Sequence, residues 1–373
     1  MKIFWAVFFC LIIYGLQQSI YKKNWYKNLD IDIHFKDKWV EAGEKASLIE
    51  VVNNDKWLPL SVFHVKFSTS KTFSFPNEEN ANVTDLYHRN DVFSVMGHQK
   101  VTRTLEFDTS RRGLFFITGV NIVARDFFLT KIYARTLPND SFIYVFPKKL
   151  YDVELDTLFN YIMGEIENKR SLWEDEFSFK GIRDYYPHDN IKSINWKATA
   201  KNDRLMVNTY NPTSEQRVKI LLNLEPNVMM RVEVMEEISI EIAASAADMC
   251  LSANIPVMIR SNGKDILTGA PEIVDFGASY QHMENINKYL SRIDGNGGLS
   301  LFFDILDNEL AICEKNVTYI IISPYHKEDL MNRVDNMVAQ GMAVHMLSPY
   351  FDLQEFDNSR SYVYGWKFKY NEV

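Results

Sequence analysis

VKILLNL at 218–224, IPVMIRS at 255–261, VTYIIIS at 317–323 and MAVHMLS at 342–348 decide the fold of the carboxyl-terminal half. Each run is short enough for a strand and rich in side chains that fit a pleated surface. Each is also continuously apolar rather than alternating, the pattern of a strand buried on both faces. Helical spacing fills the intervals: Glu233 to Ser252, Tyr280 to Arg292, Leu299 to Glu314, and a segment ending at Gln340. Upstream, Leu155, Leu158, Phe159, Ile162 and Ile166 line one face of a helix from Asp152 to Arg170. Strands separated by helices predict a largely parallel, doubly wound sheet of Rossmann-like class. Ligands of such sheets bind beyond the carboxyl ends of the strands, which directs attention to Asn223-Leu224-Glu225-Pro226-Asn227 and to Ser323-Pro324-Tyr325.

From about Leu29 to Pro147 the pattern has the period of two. Alternation runs through IDIHF, SLIEVV, SVFHVKF, VTRTLEF, LFFITGVNIVA and SFIYVFP, with breaks at Ala42-Gly43, Asn53-Asn54-Asp55, Pro76-Asn77 and Pro138-Asn139. Such spacing predicts a β-sandwich-like module suited to display or binding, without the cysteine pair of antibody domains. Arg111-Arg112-Gly113 reads as a solvated hairpin turn.

The amino terminus carries IFWAVFFCLIIYGL from Ile3 to Leu16, uncharged and extendable through Ile20 before Lys22 and Lys23. This is a short membrane span whose Gln17, Gln18 and Ser19 belong at the interface. A cleaved signal peptide and a buried helix compete with it; the absence of a small-x-small exit favours a single-pass anchor. Lys22, Lys23 and Lys27 outnumber Lys2, so the positive-inside rule places the rest of the chain in the cytoplasm.

A net charge of −8 gives no footprint for a phosphate backbone, so nucleic acid is not an expected partner. Cys10, Cys250 and Cys313 are too scattered for a disulfide framework or a zinc site. The sequence contains no G-x-x-x-x-G-K-[ST], H-E-x-x-H, C-x-x-C or G-x-S-x-G motif. Asp294-Gly295-Asn296-Gly297-Gly298 reads as a flexible turn rather than a phosphate cradle, and Glu174, Asp175 and Glu176 as a solvated acidic face.

Between the two regions lies WEDEFSFKGIRDYYPHDNIKSINWKATAKNDRLMVNTY, Trp173 to Tyr210. Arg183, Tyr185, Pro187, Asp189, Ile194, Trp196, Ala198, Ala200, Lys201, Leu205 and Val207 in this stretch resemble the signature of the domain-of-unknown-function 58 family. The chain departs from that pattern at His188, where the family commonly has Gly, and at Lys192 and Asn195, where it often has Arg and Asp. It also carries one membrane segment where the family more often has two. The resemblance implies an α+β multidomain chain: a transmembrane helix at 1–28, a β-sandwich-like module at 29–150, a helix plus signature at 151–215, and a von Willebrand factor A-like doubly wound α/β domain at 216–373.

The resemblance also implies a function, that of a non-enzymatic, membrane-anchored scaffold or adaptor. Its implied partners are a MoxR-type AAA+ ATPase and other von Willebrand A-like proteins, in complex assembly or activation, with no cofactor. Arg183, Tyr185, Pro187, Asp189, Trp196 and Lys201 are the candidate interaction residues. Physically, Arg183, Asp184, Asp189 and Lys197 are expected to form an ion-pair network bracketing Trp196, since an Arg fork can hold a carboxylate while its plane stacks on a ring. Two rivals remain open. One is an envelope-related hydrolase with its site at Asp184, His188 and Asp189. The other is adhesion through a residual metal site at Asn223, Glu225 and Asn227, oxygen donors of which only Glu225 is anionic; Mg²⁺ usually asks for one or two carboxylates, so metal binding is disfavoured.

Overall fold

In the computed structural model the described residues are 2–76, 80–150, 152–172, 174–186, 189, 191–212, 216–225, 232–295, 298–351 and 359–368; for 2, 6, 168–172, 174–180, 210–212, 232 and 351 only the backbone is described. They form two compact units, Met1–Lys148 and Lys149–Val373.

The first unit opens with helix α1 (Lys2–Asn24), which is long and apolar enough to cross a membrane. Twelve strands follow among the described residues: β1 (Leu29–Phe35), β2 (Trp39–Glu41), β3 (Lys45–Asn54), β4 (Leu60–Ser70), β5 (Phe73–Ser74), β6 (Ala81–Val83), β7 (Leu86–Val95), β8 (Gln99–Thr109), β9 (Gly113–Phe116), β10 (Thr118–Arg125), β11 (Ile132–Thr136) and β12 (Phe142–Phe146). One sheet runs β1-β3-β8-β5, a second β11-β10-β4-β7-β6, and a third, smaller one β2-β12-β9. The inward faces meet in one apolar core that includes Ile33, Leu48, Val52, Phe63, Val65, Phe67, Phe107 and Ile122. The stretch LFFITGVNIVA is therefore two strands in different sheets, split at Ile117. The turn at Arg111-Arg112 differs from the expected solvated hairpin, because Arg112 is buried.

Strand β7 turns Tyr87, Arg89, Asp91, Phe93 and Val95 inward, and β3 turns Leu48, Glu50 and Val52 inward. The sandwich interior thus encloses charge. Asp91, fully buried, accepts from Arg89 Nε, and from Arg103 Nη1 at 3.0 Å. The two guanidiniums lie over Phe75 and Phe93 at 5.4 and 4.3 Å. Burial, then the neighbouring Asp91 carboxylate, push the Glu50 carboxyl up to about 8 despite Arg103 and Arg89.

The second unit contains α2 (Val153–Leu172), β13 (Glu174–Asp184), α3 (Trp196–Asn202), β14 (Met206–Pro212), β15 (Arg217–Leu222), α4 (Val232–Ser252), β16 (Val257–Ser261), β17 (Lys264–Asp265), β18 (Ile273–Gly277), α5 (Tyr280–Arg292), β19 (Ile293–Asp294), α6 (Leu299–Ile312), β20 (Val317–Ile322), α7 (Glu328–Ala339), β21 (Ala343–Phe351) and β22 (Val363–Phe368). Among the described residues its main sheet has the order β18-β16-β15-β20-β21-β22. All neighbours are parallel except the edge strand β18, which runs antiparallel to β16. Val218, Ile220 and Leu222 of β15 face α2, α4 and α5, while Leu221 faces α6 and α7. Helices thus cover both faces, and the order reverses between β15 and β20, the place where an open α/β sheet leaves a crevice.

Lys219 is the exception on β15. It is buried, and its Nζ lies 2.7 Å from Glu309 Oε2 of α6 and 3.2 Å from Glu314 Oε1. Tyr319 donates to the same Glu309 oxygen at 3.3 Å.

The Glu50 carboxyl gives a pH test. Its folded value lies above its ordinary 4.5, so its stabilising contribution is fully present below about pH 4.5 and is lost as pH rises through about 8. The melting temperature of the first unit is expected to rise, relative to Glu50→Gln, as pH falls from 8 towards 5; parallel calorimetric profiles for the two proteins would refute this.

Candidate functional site

The segment that resembles a family signature folds as an excursion from the second unit. Strands β13 and β14 pair antiparallel, with Asp184 opposite Met206, Arg183 opposite Val207 and Ile182 opposite Asn208. Between them the chain makes a 3₁₀ turn at Ile191–Ser193, a single bridge from Ile194 to Val207, and the short helix α3. A seven-residue helix with no buried side chain cannot hold itself together in water, so its ends must be tied. Asn195 does this twice. Its Oδ1 accepts from Ala198 N at 2.9 Å as a helix cap, and its Nδ2 donates to Asn208 Oδ1 at 2.7 Å. An aspartate at 195 would have no amide to give Asn208, so the asparagine has a structural task here. Thr199 Oγ1 fastens the other side by accepting from Met206 N at 3.0 Å.

The turn before α3 is closed by a fork. Arg183 Nη1 and Nη2 donate to Asp189 Oδ2 and Oδ1 at 2.6 and 2.7 Å, and Tyr186 N donates to Asp189 Oδ2 at 2.8 Å. The guanidinium lies 5.4 Å from the centre of the Tyr186 ring. This corrects the expected network around Trp196: the fork stacks on Tyr186, Asp184 pairs instead with Arg204 at 3.2 Å, and Trp196 stands at the first turn of α3 with 65% of its surface exposed. Lys197 and Lys201 are in no ion pair shown among the described residues. Tyr185 is tied through its backbone N–H to Leu205 O at 2.9 Å. Pro187 and His188 lie outside the described residues. The hydrolase reading thus has two carboxylates, Asp184 and Asp189, each committed to a different arginine, rather than two groups converging on one point.

Arg204 and Asn195 were not among the candidates read from the sequence. A signal for Asn195 was present, an Asn three residues before Ala198 at the start of a helical run, since Asn is a favoured cap.

At the crevice the side chains satisfy one another. Asn223 Oδ1 accepts from Asn262 Nδ2 at 2.9 Å and from Glu225 N at 3.1 Å, while Asn223 Nδ2 donates to Ser323 Oγ at 2.9 Å. Asn262 Oδ1 accepts from Leu224 N at 2.9 Å, and its amide also donates to Gly298 O at 3.0 Å. Ser323 Oγ in turn donates to Tyr325 O at 2.7 Å. Asn223, Asn262 and Ser323 are all fully buried. Both lone pairs of Asn223 Oδ1 are used, so a cation would have to break two hydrogen bonds to gain one neutral ligand. Glu225 is partly buried and Asn227 lies outside the described residues. The donor set does not fit a hard divalent cation, and no group of three or more His, Cys, Asp or Glu with metal-binding geometry occurs among the described residues.

Three further places bring polar or titratable groups together. His326 Nδ1 lies 3.4 Å from Ser348 Oγ, but Ser348 is fully buried and closed to a substrate. Gly295 backs directly onto the Glu236 carboxylate, an anion that would repel a phosphate; the short strand β19 does precede this loop, contrary to the sequence expectation. A cleft of about 290 Å³ between α2 and β22 is lined by Leu155, Leu158, Val363 and Trp366, with Glu154 and Tyr364 as its titratable groups. Burial is the first cause that pushes the Tyr364 hydroxyl up to about 12, which leaves it neutral.

The sequence matches no family model and no curated protein. Among solved structures it is similar to the CARDB domain of the PF1109 protein from Pyrococcus furiosus, in complex with di-metal ions, at 14% identity and a TM-score of 0.21, covering 32% of this chain and 94% of that one. It is also similar to a type II cohesin domain from the cellulosome of Acetivibrio cellulolyticus, at 8% identity and a TM-score of 0.23, covering 32% and 95%. The C-terminal domain of wzt aligns at 13% identity and a TM-score of 0.23, covering 34% and 76%. Scores this low say nothing about activity or ligand.

Two outcomes follow. Arg183→Lys keeps the charge but not the bidentate geometry and is expected to loosen the turn by about 1 kcal/mol, discounted for the exposure of Arg183. Hydrogen exchange at the Tyr186 and Asp189 amides should then quicken roughly fivefold, and an unchanged rate would show that the fork holds nothing. Titration with Mg²⁺ or Mn²⁺ should leave the melting temperature unchanged, whereas a saturable rise would revive the adhesion reading.

Proposed function

We propose that this chain is a non-enzymatic membrane-anchored adaptor whose β13–β14 excursion docks another protein. The observation that carries the reading is the surface of that excursion. Ile182, Tyr186, Ile191, Trp196 and Leu205 are exposed, at 42%, 54%, 68%, 65% and 43%, on a segment tied down by a charged fork and a helix cap. Large apolar side chains held rigidly in water cost solvation and invite a partner, and Trp, Tyr and Arg are the residues that most often anchor such contacts. Lys197 and Lys201 lie on the same short helix as Trp196, on a chain that is acidic as a whole, which favours a partner with acidic groups at the rim of its docking site.

The resemblance to the domain-of-unknown-function 58 family names that partner as a MoxR-type AAA+ ATPase, acting with other von Willebrand A-like proteins. Support for the von Willebrand A-like assignment is topological: the main sheet reads 3-2-1-4-5-6 in strand order, with its third strand β18 reversed. The filled crevice at Asn223 fits a version of that fold which acts without a metal. In this reading helix α1 is a single-pass anchor, and the excess of Lys22, Lys23 and Lys27 over Lys2 supports, by the positive-inside rule, a cytoplasmic side for both units.

Trp196 is exposed and touches no core, so Trp196→Ala should melt within about 0.5 kcal/mol of the native protein. Crosslinking and mass spectrometry on the full-length chain in its native membrane should recover an AAA+ ATPase from wild type and lose it in this folded variant. Equal recovery from both would remove the excursion from the interface, and recovery from neither would remove the ATPase.

A further inference from the structure

Helix α1 does not stand clear of the first unit. Residues 3–5 and 7–13 are exposed all round, whereas Tyr14, Gln17, Gln18, Tyr21 and Trp25, spaced along one helical stripe, are partly or fully buried. The Tyr14 hydroxyl donates to Thr130 Oγ1 at 3.2 Å, and its ring lies 6.1 Å from that of Phe128. The Tyr21 hydroxyl donates to Pro59 O at 2.6 Å. Trp25 stacks on Tyr133 at 5.9 Å, and Arg135 covers Tyr26 at 3.9 Å. The first unit therefore grips the helix from Tyr14 onward.

Helix geometry turns this grip into a constraint. The free stretch from Ile3 to Ile13 reaches about 16 Å, while a bilayer's hydrocarbon core is about 30 Å thick. If α1 crosses, the part alongside Tyr14 to Ile20 must also lie below the headgroups, and so must whatever is packed beside it. What is packed beside it is the loop between β10 and β11, DFFLTKI at 126–132. Phe127, Phe128, Leu129 and Ile132 are 60%, 47%, 51% and 60% exposed.

We infer that this loop is a second membrane-inserting element, a rigid wedge that buries Phe127, Phe128 and Leu129 among acyl chains beside the anchor helix. The loop is built to hold these side chains out. Asp126 is fully buried; its Oδ1 accepts from Thr130 N at 2.6 Å and Lys131 N at 2.9 Å, and its Oδ2 accepts from Thr130 Oγ1 at 2.7 Å. Leu129 is held at φ 60°, a conformation that glycine adopts freely and leucine only at a cost. Glycine would relieve that strain but present nothing to a bilayer. Arg125, Lys131 and Arg135 flank the loop, where anionic headgroups would meet them. About 10 Å further along α1, at the level of Tyr21, the loop containing Trp57 and the turn at Met96 expose both side chains at 64%, and a headgroup depth is where Trp is favoured.

The inference rests on α1 crossing a membrane, so the test reports on both. The full-length chain, with Cys250→Ala and Cys313→Ser, is labelled with an environment-sensitive fluorophore at native Cys10 or, in a Cys10→Ser background, at Phe127→Cys, Leu129→Cys or Lys71→Cys. Lys71 follows β4, whose eleven residues carry it roughly 35 Å from the Pro59 end. Each protein is reconstituted in nanodiscs of phosphatidylcholine and phosphatidylglycerol, with or without a lipid bearing a doxyl quencher on its chain. Labels at 10, 127 and 129 are expected to emit blue-shifted and to lose severalfold intensity with quencher, and the label at 71 to do neither. Quenching at 10 but not at 127 and 129 overturns the wedge and spares the anchor. No quenching at 10 overturns the anchor itself. Blue-shifted emission at 127 and 129 without lipid quenching assigns the loop to a protein contact and also overturns the wedge.

Discussion

A strand buried on both faces has no side on which to leave a charge, and the second unit is arranged around one such strand. β15 packs Val218, Ile220 and Leu222 against three helices and Leu221 against two others. Its single buried charge, Lys219, is kept only because Glu309 on α6 reaches it with a carboxylate that Tyr319 also contacts. A buried pair of this kind adds little net stability compared with apolar residues, yet leaving one member alone costs about 3–5 kcal/mol. The pair therefore fixes where α6 must lie along the sheet. At the other end of β15, Asn223 meets the same constraint with neutral groups, which is why the crevice is a closed hydrogen-bond network.

The sandwich solves a related problem differently. Its interior holds Glu50, Arg89 and Asp91 between two sheets, with the partly exposed Arg103 reaching in to Asp91 and both guanidiniums lying against aromatic faces. The outer surface is used elsewhere: one side packs against α1 and holds an apolar loop alongside it.

Much of this architecture was legible in the sequence because burial leaves a period. The double-sided strands of the α/β unit read as unbroken apolar runs, and the helices between them fell within a few residues of their observed ends. Strand β7 was missed because Arg89 and Asp91 occupy inward positions and break the alternation that marks a strand. Strand β22 was missed because Val363-Tyr364-Gly365-Trp366-Lys367-Phe368 has no clean alternation and carries a glycine in its interior. The site was legible by residue type but not by direction: Arg183 and Asp189 were both named, yet the sequence does not say that a guanidinium six positions away turns to Tyr186 rather than Trp196. The polar Gln17 and Gln18 looked like an interfacial end to a short span; they are partly buried because the first unit packs against that stripe of the helix.

Parallel pairing has a consequence for the order of assembly. Arg217 of β15 is opposite Val317 of β20, one hundred positions later, and Met346 of β21 is opposite Val363 of the edge strand. The central strand cannot bury its second side until most of the chain has left the ribosome. Most strand pairs of the sandwich, by contrast, close over tens of residues, and its longest, β2 with β12, is complete once Phe146 has been made; non-local pairing is the slow kind. Synthesis thus delivers a finished first unit before the α/β unit can begin to close, and during that interval the exposed edge of VKILLNL is the part of the nascent chain most in need of protection.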